Sequence, residues 1–475
     1  MATTQQPQAD FVKAISRLDA TALVVGSMIG SGIFIVSSAI LSEVQTPGLL
    51  LLVWALSGLL TVLGALTYGE LAAMFPNAGG QYVYLREGIS PLFGYLYGWT
   101  LFTVIQTGTI AAVAVAFARF TAVLVPSLTE TVFLGGTIGK YQVGLSGQRA
   151  LAILSVAILT WINVRGVKTA AVIQTTLTVV KTASLAALIL LGVTVGRNAG
   201  AIAANFGSNF WPAGGLTMAL LPIVGAAMVG ALFSMDAWNN VGFASGELKD
   251  PKRDVPFAMV AGVLIVTGLY FLANVAYLNV LPAAAIKLAN TQGRPPIGTG
   301  ALHAMLGEPG LYAMAIAIMI STFGCNNGLI LSGARVYYAM ARDNLFFRRT
   351  GELHPVHRTP VFALVVQAVW TSLLCLSGSY GDLLDYVIFA ALLFYMLTAV
   401  GLFQLRRTRP NAERPVKVMG YPWLPGLYLV ATGVFCVNLL FQKPLYTWPG
   451  LIIVALGVPV YFGWRAMARR GSATI

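Results

Sequence analysis

Three stretches of this chain carry residue types able to do chemistry inside apolar surroundings. The first is Val25-Gly-Ser-Met-Ile-Gly-Ser-Gly-Ile-Phe34, within an apolar run from Leu18 to Leu41. Gly26, Ser27, Gly30, Ser31 and Gly32 crowd its middle. Each interior glycine costs a helix about 1 kcal/mol against alanine. In a bilayer, open backbone is tolerated only where protein or a watery cavity satisfies its polar groups. The stretch therefore reads as a membrane helix broken at mid-depth, with a ligand site at the break. The alternative is close helix packing through small residues. Unwinding would free N–H groups around Ser31, Gly32 and Ile33, a positive end suited to a carboxylate. It would also free carbonyls near Met28 and Ile29, suited to an ammonium. An α-amino acid presents both groups.

The second stretch is Gly230-Ala-Leu-Phe-Ser-Met-Asp-Ala-Trp-Asn-Asn240. Asp236 lies mid-span, where a carboxylate is costly unless paired or hydrated. It could accept from an amino group, cap the following half-helix or carry a proton. Phe233 just before it could close over a ligand or be an ordinary packed aromatic. The third is Lys181, in Gln174-Thr-Thr-Leu-Thr-Val-Val-Lys-Thr182. It stands roughly 16 Å into its helix. Its ammonium could bond carbonyls freed at the first break or snorkel to the nearer surface. Ser321-Thr-Phe-Gly-Cys-Asn-Asn-Gly328 adds polar residues that could line a path or aid packing. Glu70, Arg86 and Glu247 near one membrane face suit ion pairs of an inner gate, or solvated loop charges.

The elements that must position these groups are membrane helices. The chain has 475 residues, 57% hydrophobic and 9% charged. A soluble domain of that length needs more surface charge, and the runs are too long and too little alternating for barrel strands. Hydropathy places twelve spans near 17–41, 48–75, 91–125, 149–164, 170–196, 216–248, 256–281, 311–342, 360–376, 383–405, 423–441 and 448–468. Loops are expected at Pro76–Gly80, from about 126 to 148, at Asn205–Gly215 (or a short interfacial helix there), at Lys249–Asp254 and over Pro282–Leu306. The net charge is +13. Its cations crowd one set of loops, against Lys140, Arg197, Lys287, Arg294 and Lys443 on the other. The positive-inside rule makes the crowded face cytoplasmic, with both termini there. No cleavable signal peptide is expected. Cys325, Cys375 and Cys436 read as buried thiols rather than a disulfide or zinc framework. His303, His354 and His357 lie in loops or their margins, and no His-Glu-x-x-His pair supports a metal-dependent intramembrane hydrolase.

Spans 1 and 6 are both interrupted and lie five spans apart. An odd offset reverses the direction of entry, so spans 1–5 (17–196) and 6–10 (216–405) fit inverted repeats. Spans 11–12 (423–468) then follow, with short tails at 1–16 and 469–475. Broken helices at matching positions of two halves point to a transporter site.

The residues carrying these features resemble the amino acid–polyamine–organocation (APC) superfamily. The resemblance rests on Gly26-Ser-Met-Ile-Gly-Ser-Gly-Ile-Phe34, Gly69-Glu-Leu-Ala-Ala-Met-Phe-Pro-Asn-Ala-Gly-Gly-Gln-Tyr-Val-Tyr-Leu-Arg86 and Tyr97-Gly-Trp99. It extends through Asn163-Val-Arg-Gly-Val-Lys168 with Lys181, and Phe233-Ser-Met-Asp-Ala-Trp-Asn239 with Glu247-Leu-Lys-Asp-Pro-Lys-Arg-Asp-Val-Pro256. It ends with Ser321-Thr-Phe-Gly324, Ala334-Arg335 and Ala341-Arg-Asp343. The branch looks like the L-type amino-acid transporters and their bacterial relatives.

That likeness implies an all-α polytopic membrane protein of the LeuT-type fold, a 5+5 inverted repeat plus two spans. It implies alternating access, sodium-independent exchange of neutral L-amino acids, no enzymatic activity and no cofactor. A proton-coupled symporter is the alternative, and a cationic amino-acid or polyamine antiporter or a nutrient sensor lies further off. By position, Ser31, Gly32 and Ile33 would take the substrate carboxylate. Ile29, Phe233, Ser234 and Asp236 would take its amino group. Phe233 would gate, and Lys181 would replace a sodium ion. Thr109, Asn326 and Phe389 are candidate pocket lining. The chain departs from the animal branch at Asp236, where those proteins have glycine. It also has no cysteine between spans 3 and 4, where they hold a glycoprotein subunit, so no such partner is expected. The expected location is the cell membrane.

Overall fold

The computed structural model describes residues 11–138, 141–289, 295–377 and 380–472. Residues 1–10 of the expected N-terminal tail lie outside the described residues, as do Lys140 and Arg294. Among the described residues, ten helices are long and apolar enough to cross a bilayer, and the shorter apolar helices Met218–Ser234 and Val361–Leu376 supply spans 6 and 9, twelve spans in all. Span 1 is built from Arg17–Met28, a 3-10 turn Gly32–Phe34 and Val36–Val44. Spans 2 to 5 are Pro47–Met74, Pro91–Leu124, Gly147–Val164 and Val167–Val193. Span 6 runs Leu221–Ser234, breaks, and resumes as Asn240–Phe243 and the 3-10 turn Ser245–Glu247. Spans 7 to 12 are Pro251–Val280, Glu308–Arg342, Val361–Ser377, Tyr380–Thr408, Trp423–Gln442 and Pro444–Ser472.

Local chemistry sets the starts of these helices. Ser16 and Asp19 form a reciprocal capping box at the head of span 1, satisfying two orphan donors at once. Spans 2, 3, 7 and 8 open with proline in the first two helical positions, where its missing N–H is not needed. This explains one difference from expectation. Lys249–Asp254 is not all loop, because Pro251 starts span 7 and Asp254 lies in its first turn. There Asp254 complements the helix dipole and accepts from Arg17 at 2.7 Å.

Other segments between the spans carry structure of their own. Leu134–Ile138 and Tyr141–Leu145 pair as an antiparallel hairpin between spans 3 and 4. Gln81–Gly88 is a helix after the Pro76–Gly80 turn. Ala283–Leu288 and Ile297–Leu306 are short helices between spans 7 and 8. Of the two alternatives at Asn205–Gly215, the loop holds from Gly207 onward, and a short helix, Ala199–Phe206, precedes it.

Burial separates centre from periphery. The apolar windows of spans 1, 3 and 8 are 78, 72 and 72% buried, against 17% for span 12. Span 1 thus sits at the centre of the bundle with spans 3 and 8, and the last span lies at its periphery.

The end of the bundle bearing the N-terminal segment carries most of the cations, and is called the basic face below. Ile15 is fastened there in a short parallel bridge, its N–H donating to Glu247 O and its O accepting from Lys249 N–H (3.0 and 3.1 Å).

Candidate substrate site

Span 1 opens at Ile29–Ser31, and its glycines let three different helices approach. A Cβ on Gly26 would lie 2.2 Å from Gln174 Nε2 and Thr178 Oγ1 of span 5. On Gly30 it would meet Cys325 Sγ of span 8 at 3.2 Å, and on Gly32 it would meet Ser234 of span 6, with Oγ at 2.1 Å and Cβ at 2.7 Å. Close packing and an open backbone, alternatives in the sequence, occur together.

The carbonyls released by the break are taken up by side chains. Lys181 Nζ, fully buried, donates to Gly26 O (2.5 Å), Ile29 O (2.8 Å) and Ser321 O (3.3 Å). An ammonium has three donors, and each has an acceptor here. Lys181 therefore does not snorkel. Ser321 Oγ lies within reach of the oxygens of Ile29 (3.1 Å) and Gly30 (3.0 Å). Cys325 Sγ reaches Ser27 O at 2.9 Å, and Tyr270 OH donates to Met28 O at 2.9 Å. Ile29 O, expected to face a substrate amino group, already has Lys181 and Ser321 as neighbours. The amides of Gly32 and Ile33 open the 3-10 turn, where the first N–H groups have no partner within the helix. Ser31, Gly32 and Ile33 are buried.

Span 6 breaks against this turn. Ser234 Oγ donates to Gly230 O at 2.8 Å, and Asp236 N–H donates to Phe233 O at 3.2 Å. The next residue, Ala237, has φ +67°, a left-handed conformation costly for a residue with a Cβ. Asp236 Oδ1 accepts from Tyr395 OH of span 10 at 2.5 Å. Asn239 donates to Gln81 Oε1 at 2.7 Å, and Gln81 donates to Thr398 Oγ1 at 3.1 Å. A polar chain thus ties the break to the helix after span 2 and to span 10. Phe233 is buried immediately before the break.

Asp236 and Tyr395 together border two small cavities. One, of 10 Å³, is lined on the span 3 side by Gln106 and Thr109 and on the span 6 side by Asn239 and Asn240. The other, of 20 Å³, is more apolar, with Leu60, Leu232 and Tyr428 among its walls. Thr109 thus lines the polar cavity. Asn326 lies beside span 3, its amide donating to Ile110 O at 3.2 Å. Phe389 lies near Gly450 of span 12, and neither residue is among those lining the two cavities. From span 10 the walls include Ile388, Ala391, Leu392 and Tyr395.

Sequence reasoning missed Tyr395, Gln106 and Tyr270, since a tyrosine or glutamine in an apolar span carries no signal of its partner. It also missed the π-helical turn Leu101–Ile105 in span 3. Such turns gather at functional sites, and this one precedes Gln106 and Thr109.

The buried carboxylates at the basic face are paired. Glu247 and Arg335, 0 and 1% exposed, meet at 2.8 Å between spans 6 and 8. Glu70 accepts from Arg406 (2.5 Å), Arg414 (3.1 Å) and the Val418 amide (2.9 Å). Arg86 pairs with Asp343, which also accepts from Tyr82 OH at 2.6 Å.

Two broken helices thus lie side by side, one braced by a buried ammonium and the other bearing a carboxylate. Comparison with known proteins identifies the family. Residues 15–462 match the family model described as amino acid permease. The human large neutral amino acids transporter small subunit 2 is 31% identical over 459 residues, covering 95% of this chain and 80% of that protein. The serine/threonine exchanger SteT of Bacillus subtilis is 31% identical over 458 residues, covering 95 and 97%. The mouse b(0,+)-type amino acid transporter 1 is 27% identical over 470 residues, covering 97 and 91%. With its twelve spans, its paired breaks and a match running almost end to end, the chain belongs to the amino acid permease family.

Proposed function

We propose that this protein exchanges neutral L-amino acids across the cell membrane by alternating access, without sodium. The observation that carries the reading is Lys181 Nζ on the carbonyls of Gly26 and Ile29. A fixed charge there balances the carbonyl end of the first half-helix, the work a bound cation would otherwise do. The substrate carboxylate takes the amides of Ser31, Gly32 and Ile33. Its amino group takes the Phe233 and Ser234 carbonyls and Asp236, because Ile29 O already has its donors. Phe233 closes over the ligand.

The polar cavity beside Asp236 favours a short side chain, so alanine, serine and threonine come ahead of leucine. The name of the Bacillus subtilis relative, a serine/threonine exchanger, supports that order. The basic face is cytoplasmic, and its ion pairs hold the inner side shut. Spans 1–5 and 6–10 act as inverted repeats. The chain works without a disulfide-linked glycoprotein subunit, in keeping with a span 3–4 connection that contains no cysteine.

Reconstituted liposomes test this. Labelled serine should enter only vesicles preloaded with amino acid, at a rate indifferent to sodium and to a proton gradient. Uptake into empty vesicles, accelerated by an inward proton gradient, would overturn exchange in favour of symport.

A further inference from the structure

Tyr395, buried in span 10, has a single hydroxyl hydrogen and two acceptors for it in span 6. Asp236 Oδ1, in the break, lies at 2.5 Å, and Asn239 Oδ1, at the head of the inner half-helix, lies at 3.4 Å. A hydroxyl has one donor to give. It goes to the nearer oxygen, because a bond to a carboxylate is roughly twice as strong as one between neutral groups. The Tyr395 ring is packed against Tyr68 and Trp238, with centroids at 5.9 and 5.4 Å. The hydrogen can therefore turn from one acceptor to the other while the ring stays in place. Among the described residues lining the two small cavities, Asp236 alone carries a charge. The bond from Tyr395 thus ties the charged point of the break directly to span 10.

We infer that the Tyr395–Asp236 bond locks the carrier while no substrate is bound, and that the substrate's amino group releases the lock. The inference rests on the reading that this amino group takes Asp236. An ammonium on Asp236 neutralises the carboxylate and competes for its oxygens. The Tyr395 hydrogen then turns to Asn239 Oδ1, a longer bond to a neutral group. Tyr395 and Asp236 each keep a hydrogen bond throughout, so release leaves no buried polar group alone. The tie between spans 6 and 10 weakens, and span 6 is free to move. A ligand shifts a conformational balance only as far as it interacts differently with the two states, and here the difference is a charged tie replaced by a neutral one. A carrier that changes face only when loaded is an exchanger. Tyr395 is then a positioning residue that sets the coupling, and it need not touch the substrate.

Tyr395→Phe tests this, since it keeps the ring and deletes the hydrogen bond. Reconstituted in liposomes, the variant should fill empty vesicles with labelled serine about tenfold faster than the parent, a usual size for coupling between sites. Preloading should then add little. A second measurement needs no flux. In the parent background a maleimide should label Ser245→Cys, at the basic face, about tenfold faster with serine than without. Lactate, which has the carboxylate but no amino group, should not speed that labelling. In Tyr395→Phe the labelling should be fast with or without serine. A variant that still needs preloading, or whose labelling still depends on serine, overturns the lock and leaves exchange standing. In the parent alone, equal labelling with serine and with lactate overturns it as well. A parent that fills empty vesicles is no exchanger, and the lock falls with that reading.

Discussion

At the scale of single residues, Gly32 is the most constrained position of the site. A methyl group there would sit 2.7 Å from Ser234 Cβ and 3.1 Å from Ser234 Cα. No rotamer change moves a Cα, so the breaks themselves would have to part. Overpacking of this kind costs about 1–3 kcal/mol. Gly32→Ala should therefore lower the melting temperature and abolish uptake of labelled serine. Gly26→Ala should cost less, because its obstacles are the side-chain ends of Gln174 and Thr178. Equal losses from the two changes would refute the argument.

Lys181→Ala removes the donor from Gly26 O and takes one partner from Ile29 O, which keeps Ser321 Oγ; a buried carbonyl left unsatisfied costs about 1–3 kcal/mol. The substitution should leave a recoverable but inactive protein, and normal sodium-free exchange by the variant would rule out the bracing role. Gly26–Gly32, Asp236 and Lys181 could be found in the sequence because small or charged residues stand out in an apolar run. Tyr395 could not, since its hydroxyl gains meaning only from Asp236, 159 positions away. Nor could the engagement of the Ile29 carbonyl, because a backbone oxygen has no letter.

At the scale of elements, the pair Glu247–Arg335 joins span 6 to span 8 with both partners buried. Breaking such a pair costs about 3–5 kcal/mol, since one charge is left alone, whereas replacing both by apolar groups is often tolerated. Arg335→Met alone should therefore fold poorly, and Glu247→Leu with Arg335→Met should recover stability. If the pair also holds the face shut, the double variant should open more often toward the basic face. A cysteine placed at Ser245 would then react faster with a maleimide than in the parent background. An unchanged labelling rate would leave the pair a packing element only. The helices themselves were largely readable, because hydropathy and proline at the first turn mark them. The hairpin at 134–145 was not, since its strands are short and glycine-rich, and the first turn of span 7 was hidden by its charges.

At the scale of the whole molecule, the proposed orientation rests on the positive-inside rule, which assigns the cation-rich face to the cytoplasm. Cysteine labelling can settle this, because Cys325, Cys375 and Cys436 are all buried and should give a low background. Lys417 is exposed in the connection between spans 10 and 11, and Ser208 is exposed between spans 5 and 6, on the opposite face. In intact cells a membrane-impermeant maleimide should label Ser208→Cys and leave Lys417→Cys untouched until the cells are opened. The reverse pattern would turn the molecule over, placing the Glu247–Arg335 pair toward the outside. The central site would survive that inversion, since two opposed half-helices read a zwitterion equally well from either side. What orientation decides is which solution the ion pairs of the basic face hold out, and so which side of the membrane must supply the ligand for the closed form to open.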